Sequence, residues 1–469
     1  MTQYPSHPPP PSQMPQRRHQ RPAASWLAAG LAIALGVTAC GGDDGGSADD
    51  PQEQVSQAEI DEAMQTPTEL TFWTWVPDIE NEVAIFEQAY PEISVTIVNA
   101  GQGDEHYTKL RNALEAGEGA PDVAQIEYQF IPTFAVTDSL LDLRPYGAEE
   151  LAAQFVDFAW NQVTGPGGEV WAIPQDTGPM GMLYRQDIFD EHEIEVPETW
   201  EDFAEAARTL HAADPDAYLT NLPPGQGAGF LAMLWQAGAN PFGGSEGELL
   251  SVDLTSDIAQ RVTSYWNELV ADGVISTDPD FTDAWYQGFN QDKYATWITA
   301  AWGPVFLSSA AEATSGKWRA APLPQWETGQ QVSAAQGGST SAVIATTESS
   351  IAAAKFAEFL NTDQESTMAM ATEQFLFPPT EAVLTDPAFA EQELEFYGGQ
   401  QVNKLFAEIS TTVSNEFQWS PFQTQVYADF NDTVGKAFAD GTDAVAALEE
   451  WQSRIVSYAE NQGFTVETP

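Results

Sequence analysis

The chain has 469 residues, 43% of them hydrophobic and 11% aromatic, enough for one large core or two domains. Its 70 acids against 16 bases give a formal charge of -54, which excludes nucleic acid or an anionic membrane face as a direct partner. A single cysteine excludes an intrachain disulfide and a thiolate metal cluster, and 15 Trp, 13 Tyr and 25 Phe exclude a disordered acidic chain.

Arg17, Arg18 and Arg21 are the only Lys or Arg before an apolar run from Trp26 to Gly36. That run is too short to cross a bilayer and fits the apolar part of a secretory leader. It closes on Val37-Thr38-Ala39-Cys40 and Gly41-Gly42, which resembles the lipobox of bacterial lipoproteins. The resemblance implies a signal peptide over residues 1–39 and lipidation of Cys40 as the mature N-terminus. No acid precedes Cys40, so the remainder carries 70 acids against 13 bases. So many carboxylates must lie largely on the surface, as in a protein from a salt-loving organism, although a low-lysine lineage would give the same composition.

Residues 40–67 offer little to bury and read as a flexible acidic tether. From Leu70 the texture changes. The run LTFWTWV predicts a buried strand, Ile79, Val83, Phe86 and Tyr90 a helical stripe, and Ile93, Val95 and Ile97 a second strand after Pro91. A helix over Tyr107–Ala116 and a strand from Pro121 to Ile126 follow. Further on, Thr199 and Asp202 have the spacing of a capping box, and residues 351–360 and 443–458 carry amphipathic helical patterns. The fold class is α/β.

No catalytic pattern stands out. The sequence lacks a phosphate loop with its lysine, a His-Glu-x-x-His and a nucleophile elbow. His106, His192 and His211 have no ligand-like spacing and read as surface or helix residues, so no metal or cofactor is expected. In a chain with 70 acids, carboxylate pairs arise by chance and do not argue for glycosidase chemistry. Aromatic residues in loop-like settings are more informative. A sugar ring has an apolar C–H face that Trp or Tyr can cover and a hydroxyl rim that Asp, Glu, Asn or Gln can bind. Trp73 and Trp75, Glu127-Tyr128-Gln129, Trp302-Gly303-Pro304 and Trp419-Ser420 offer that pairing, with core packing the alternative for each.

The ordered motifs resemble the extracellular solute-binding proteins of carbohydrate ABC importers, the maltose-binding-protein-like family 1, and in particular actinobacterial sugar-binding lipoproteins. They are the lipobox, the strand-helix-strand over residues 70–98, Ala120-Pro121-Asp122-Val123 and Ile173-Pro174 to Leu183-Tyr184-Arg185. Next come Val196-Pro197-Glu198-Thr199-Trp200-Glu201-Asp202-Phe203, Ala300-Ala301-Trp302-Gly303-Pro304, Trp318–Pro324 and Gly337-Gly338-Ser339. Ala300 stands where that family usually has Gly.

The resemblance implies a periplasmic-binding-protein-like (type II) fold, two discontinuous α/β lobes with a hinge and an interlobe cleft. Lobe one is placed at 68–179 plus 325–378, and lobe two at 180–324 plus 379–469. It implies a monomer, lipid-anchored to the outer face of the cytoplasmic membrane through Cys40, that delivers its ligand to the permease subunits without chemistry. For the ligand site it points first to Trp302 and Asp176, then to Trp75, Tyr128 and Glu127. Trp235 is placed either facing the cleft or in a helix core. Gly338, with Gly337, either lets backbone approach the ligand or makes a turn. Trp73, Trp285, Trp326 and Trp419 are further positions. Abundant aromatics and few bases favour a neutral di- or oligosaccharide. The alternatives are another solute (glycerol phosphate, a polyamine or a peptide) or a secreted glycoside hydrolase or lyase.

Overall fold

A computed structural model describes residues 54–244 and 249–469. The leader, Cys40 and most of the tether lie outside the described residues. The end of the tether is not a flexible spacer. Ser56 and Glu59 form a reciprocal capping box on a helix, Gln57–Ala63, and Met64 is buried behind it. Val55 N donates to the Pro145 carbonyl at 2.8 Å.

The first half of the chain follows the expected order. In β1 (Thr68–Trp73) Leu70 and Phe72 alternate into the core, while Thr71 and Trp73 stay partly exposed. The helix Glu80–Ala89 buries Val83 and Phe86, and Phe86 packs edge-on to Phe356 at 5.1 Å beside Phe72. β2 (Ile93–Val98) and β3 (Val123–Glu127) both pair parallel to β1, joined by helices in the right order for successive β-α-β units.

Beyond β3 two long strands organise the molecule. β4 (Ile173–Arg185) is 13 residues long and buried at all but Asp176. Its first half pairs antiparallel with β9 (Ala335–Val343), from Ile173 to Pro179. From Met180 onward it pairs instead with β7 (Thr296–Ala300) on one side and β8 (Trp318–Pro322) on the other. β9 in turn pairs antiparallel with β3, giving the sheet order β2-β1-β3-β9-β4-β7 with β8 also on β4. A smaller sheet joins β5 (Phe242–Gly243), β6 (Leu249–Val252) and β10 (Thr465–Glu467).

Burial follows the same division. One cluster gathers Leu70, Phe72, Phe86, Val123, Ile173, Val343 and Phe356 around β1. A larger one holds Trp200, Trp266, Trp285, Trp318 and Trp451, with the helices Trp200–Ala213, Asp257–Ala271 and Ala444–Asn461. The Thr199/Asp202 capping box forms as its spacing predicts. β4 and β9 run from one cluster into the other, so their middle residues lie at the seam between the two halves.

Candidate functional site

At that seam the ends and middles of strands bring polar side chains together. Glu127 closes β3 and is held by Tyr107, from the helix Asp104–Ala116. The Tyr107 hydroxyl donates to Glu127 Oε2 and accepts from Glu127 N, both at 3.0 Å. Burial, only partly offset by that bond, pushes the Glu127 carboxyl up to about 6. Asp176, the one position of β4 that is not buried, accepts at Oδ1 from Ser339 N at 2.9 Å and from the Ser339 hydroxyl. Burial pushes it up to about 6 as well, against those hydrogen bonds.

Tyr128 lies in the same place, buried, with a hydroxyl that has no partner. Gly338 makes room for it. With φ of +94°, a Cβ there would stand 2.9 Å from the Tyr128 ring and 2.8 Å from the Asp176 carbonyl oxygen. The glycine thus admits the Tyr128 ring and the Asp176 backbone. From the other half comes the helix Gln423–Phe430. Burial and then the Glu127 carboxylate raise the Tyr427 phenol above its ordinary value, which brings Tyr427 within electrostatic reach of β3. Gln423 lies beside it, yet neither the Tyr427 hydroxyl nor Gln423 Nε2 meets a partner in hydrogen-bonding geometry.

Trp302 borders this group. It follows β7 at the start of the helix Gly303–Ala310, is half-buried, and donates from Nε1 to the Gln336 carbonyl at 2.9 Å. Gln336 adjoins Gly337 and Gly338, so Trp302 is bonded to the same strand whose Ser339 holds Asp176 and whose Gly338 lies against Tyr128. A small cavity of about 50 Å³ opens beyond Trp302, lined by Asn221, Gln226, Asp280, Phe281 and Gln336 among others.

Other predicted positions fall elsewhere. Trp75 and Trp73 are partly exposed and pack edge-on to His106, at 5.0 and 6.2 Å. Trp235 takes the core reading: it is buried, stacks on Phe417 at 4.5 Å and donates to the Ser414 carbonyl. Trp419 joins it and donates to Gln162 Oε1 at 2.7 Å. Trp285 is buried against Phe289 and Trp297. These three are corrections, because a ring enclosed on its faces offers no platform to a ligand. His106 is helical as expected but fully buried, not on the surface, and burial lowers its pKa to about 4. Trp326 borders a separate groove of about 680 Å³, which shares no lining residue with the small cavity. Arg261 covers its ring at 4.8 Å, and the Tyr265 hydroxyl there is already bonded to the Trp200 carbonyl. Tyr107, Tyr427 and Gln423 were not singled out from the sequence, where nothing but a position on a helix marks them.

Chemically the seam gathers phenol and amide groups, their polar atoms closed to solvent, beside carboxylate acceptors. Among the described residues no Lys or Arg hydrogen-bonds to Glu127 or Asp176 or lines the small cavity. Such a surface suits a ligand whose groups both donate and accept and carry no charge.

Residues 66–366 match the model of the bacterial extracellular solute-binding protein family. The chain belongs to that family. The solved ABC-transporter-associated binding protein of Bifidobacterium animalis subsp. lactis, in complex with β-1,6-galactobiose, is 30% identical. The two superpose with a TM-score of 0.73 over 85% of this chain and 99% of that one. The galacto-N-biose/lacto-N-biose I-binding protein of Bifidobacterium longum, 24% identical, shares the fold with a TM-score of 0.74 over 85% and 98% of the two chains. An arabinooligosaccharide-binding protein of Halalkalibacterium halodurans is 26% identical over 412 residues, 83% of this chain and 90% of that protein. The mixed α/β architecture is therefore that of the bilobed periplasmic-binding-protein-like fold, and the family is one of binding proteins, not enzymes.

Proposed function

We propose that this chain is the substrate-binding component of an ABC importer, taking up a neutral di- or oligosaccharide at the seam and delivering it unchanged to the permease. The observation that carries this reading is the set of unpaired donors (Tyr128, Tyr427 and Gln423) beside the carboxylates of Glu127 and Asp176, with Trp302 at their edge. Sugar hydroxyls complete both kinds of group, and the Trp302 ring can cover a C–H face. The named ligands of the similar proteins, galactobiose, lacto-N-biose and arabinooligosaccharides, belong to the same class.

The lobes remain those placed above, 68–179 plus 325–378 and 180–324 plus 379–469. The change of β4's partners between Pro179 and Met180 supports the first boundary. Closure of the two lobes about β4 and β9 would remove water from the ligand's hydrogen bonds. The chain is a monomeric lipoprotein of an actinobacterial type, held to the outer face of the cytoplasmic membrane through Cys40. Cys40→Ser is expected to move it from the membrane fraction to the medium; retention in the membrane would reject the anchor.

The test of function is a screen by melting temperature and Trp fluorescence, in molar salt, against neutral mono-, di- and oligosaccharides, phosphosugars, polyamines and peptides. Stabilisation by one class of neutral saccharide that is not consumed over hours is the expected result. A response to phosphosugars or polyamines alone would overturn the choice of ligand, and steady consumption of a sugar would reveal a hydrolase.

A further inference from the structure

The aromatic surface around Trp302 extends past the part just described. Phe281, which lines the small cavity, and Phe306 pack on its ring at 6.2 and 5.9 Å. They are 43% and 50% exposed, and among the described residues only Val136, Leu249 and Phe375 are the other exposed large hydrophobics. Two of five such side chains therefore gather on one tryptophan, which makes a patch and not a scatter. Phe281 is also held in the left-handed backbone region, with φ of +53°. For a bulky residue other than glycine that conformation is strained. It is fixed by the next residue, since Thr282 caps the helix Asp283–Asn290 by accepting from Trp285 N at 3.2 Å. The ring packs at one edge on Trp285, Trp297 and Trp302 and leaves the rest of its surface open to solvent.

The polar rim of the patch is built differently from its surroundings. Asp278 is engaged at Oδ2 by Lys293 and the Tyr294 hydroxyl, at 2.5 Å each. Asp280, two residues on, has no cation. Its Oδ1 accepts only from Gln226 Nε2, at 3.1 Å, and both residues line the small cavity. That cavity has room for one or two waters, so it can admit a hydroxyl or hydroxymethyl group but not a pyranose ring.

We propose that Phe281, Phe306, Asp280 and Gln226 form a second subsite that seats a further ring of a neutral saccharide, adjoining Trp302. The ring lies across the exposed phenyl groups and sends a hydroxyl into the small cavity, where Asp280 accepts and Gln226 completes the bond network. Trp302 touches both groups, bonding to Gln336 beside Gly337 and Gly338 and packing on Phe281, which sets both rings on one ligand. This rests on the reading of the chain as a saccharide-binding protein, and it makes chain length, not only sugar identity, a property the site selects.

The experiment is calorimetric titration of the purified protein with β-1,6-galactobiose, lacto-N-biose, lactose and maltose, and with their constituent monosaccharides. Wild type is compared with Phe281→Gly, Phe306→Ser, Asp280→Asn and, in the first subsite, Asp176→Asn. The proposal expects Phe281→Gly and Asp280→Asn to weaken the tightest disaccharide at least about tenfold, while any monosaccharide affinity changes less than about twofold. Asp176→Asn is expected to weaken both. Phe281→Gly relieves the positive φ but also removes a ring packed on Trp285, Trp297 and Trp302, so the contrast between mono- and disaccharide, not the melting temperature, decides. Should that variant fail to fold, Phe306→Ser on the helix surface carries the same expectation. Equal losses for mono- and disaccharides, or none, would overturn the second subsite while leaving the saccharide reading intact. Wild type silent to every sugar would overturn both.

Discussion

At the scale of single residues, the seam is decided by what its carboxyls cost when empty. Glu127 and Asp176 are both raised by burial to about 6, from ordinary values near 4. Between about pH 6.5 and about pH 4 the folded chain holds protons on them that the unfolded chain has released. Their contribution to stability therefore rises as pH falls through that window, and at neutral pH the two ionised groups oppose folding. The double variant Glu127→Gln, Asp176→Asn is expected to melt above wild type at about pH 7.5 without ligand, with the gap closing by about pH 5. Melting curves at both pH values decide it, since a gap independent of pH would mean the carboxyls are well solvated. A bound saccharide works in the opposite sense. Its hydroxyls donate to the ionised forms, so wild-type affinity should fall as pH drops through 6 and the double variant should show no such dependence.

At the scale of elements, the pair β4 and β9 joins the two halves, and its closest approach is at Gly178. A Cβ there would collide with the Gln336 carbonyl oxygen, the same oxygen that accepts from Trp302. The register shift between Thr177 and Pro179 falls at this point. Gly178→Ala is therefore expected to lower stability by about 2–3 kcal/mol or more, and to disturb Trp302 fluorescence, whereas Gly225→Ala, which meets nothing within 4 Å, should be silent. Urea unfolding of the two variants tests the contrast; equal stabilities would show that the strands part easily. Legibility from sequence follows the same lines. Continuous apolar runs marked β1 and β3, and elements that bury one face leave a period, so β2 and the helices Glu80–Ala89, Ser350–Thr362 and Ala444–Asn461 could also be read directly. β9, Ala335–Val343, could not. Bonded on both edges at a seam, it needs small residues where a half-exposed strand would alternate, and its AQGGSTSAV shows only a glycine turn. The site divides likewise. Glu127, Tyr128, Asp176 and Trp302 stand at strand ends or in recognisable motifs, but Tyr427, Asp280 and Phe281 reach the seam only through the packing of distant elements. Trp235 and Trp285 show the converse: an aromatic at the right sequence position stays in the core when neighbouring rings enclose it.

At the scale of the whole molecule, charge outweighs every local feature. With 16 Lys and Arg, at least 54 of the 70 acids cannot have a base of their own. The ion pairs that do form are mostly exposed, such as Lys109–Glu105 and Arg208–Asp272, and contribute little each. Arg185 is the exception: the last residue of β4, buried against the helix Asp283–Asn290, it is clamped by Asp187 and Asp292 and works as a fixed structural cation. The remaining carboxylates repel one another across a surface some tens of ångströms wide, well beyond the screening length of about 8 Å at physiological ionic strength but not beyond it in dilute buffer. The folded state concentrates that charge and the unfolded state spreads it, so salt should favour folding. The melting temperature is expected to climb steadily from dilute buffer to molar sodium chloride. Most of the gain should come before screening is complete if repulsion is the cause, and it should continue into the molar range if the acidic surface is an adaptation to brine. Potassium chloride and sodium sulfate separate the two, since screening depends on ionic strength alone while hydration of the carboxylate surface depends on the ion. A melting temperature flat in all three salts would mean that the surface charge does not govern stability, and the composition would need another cause.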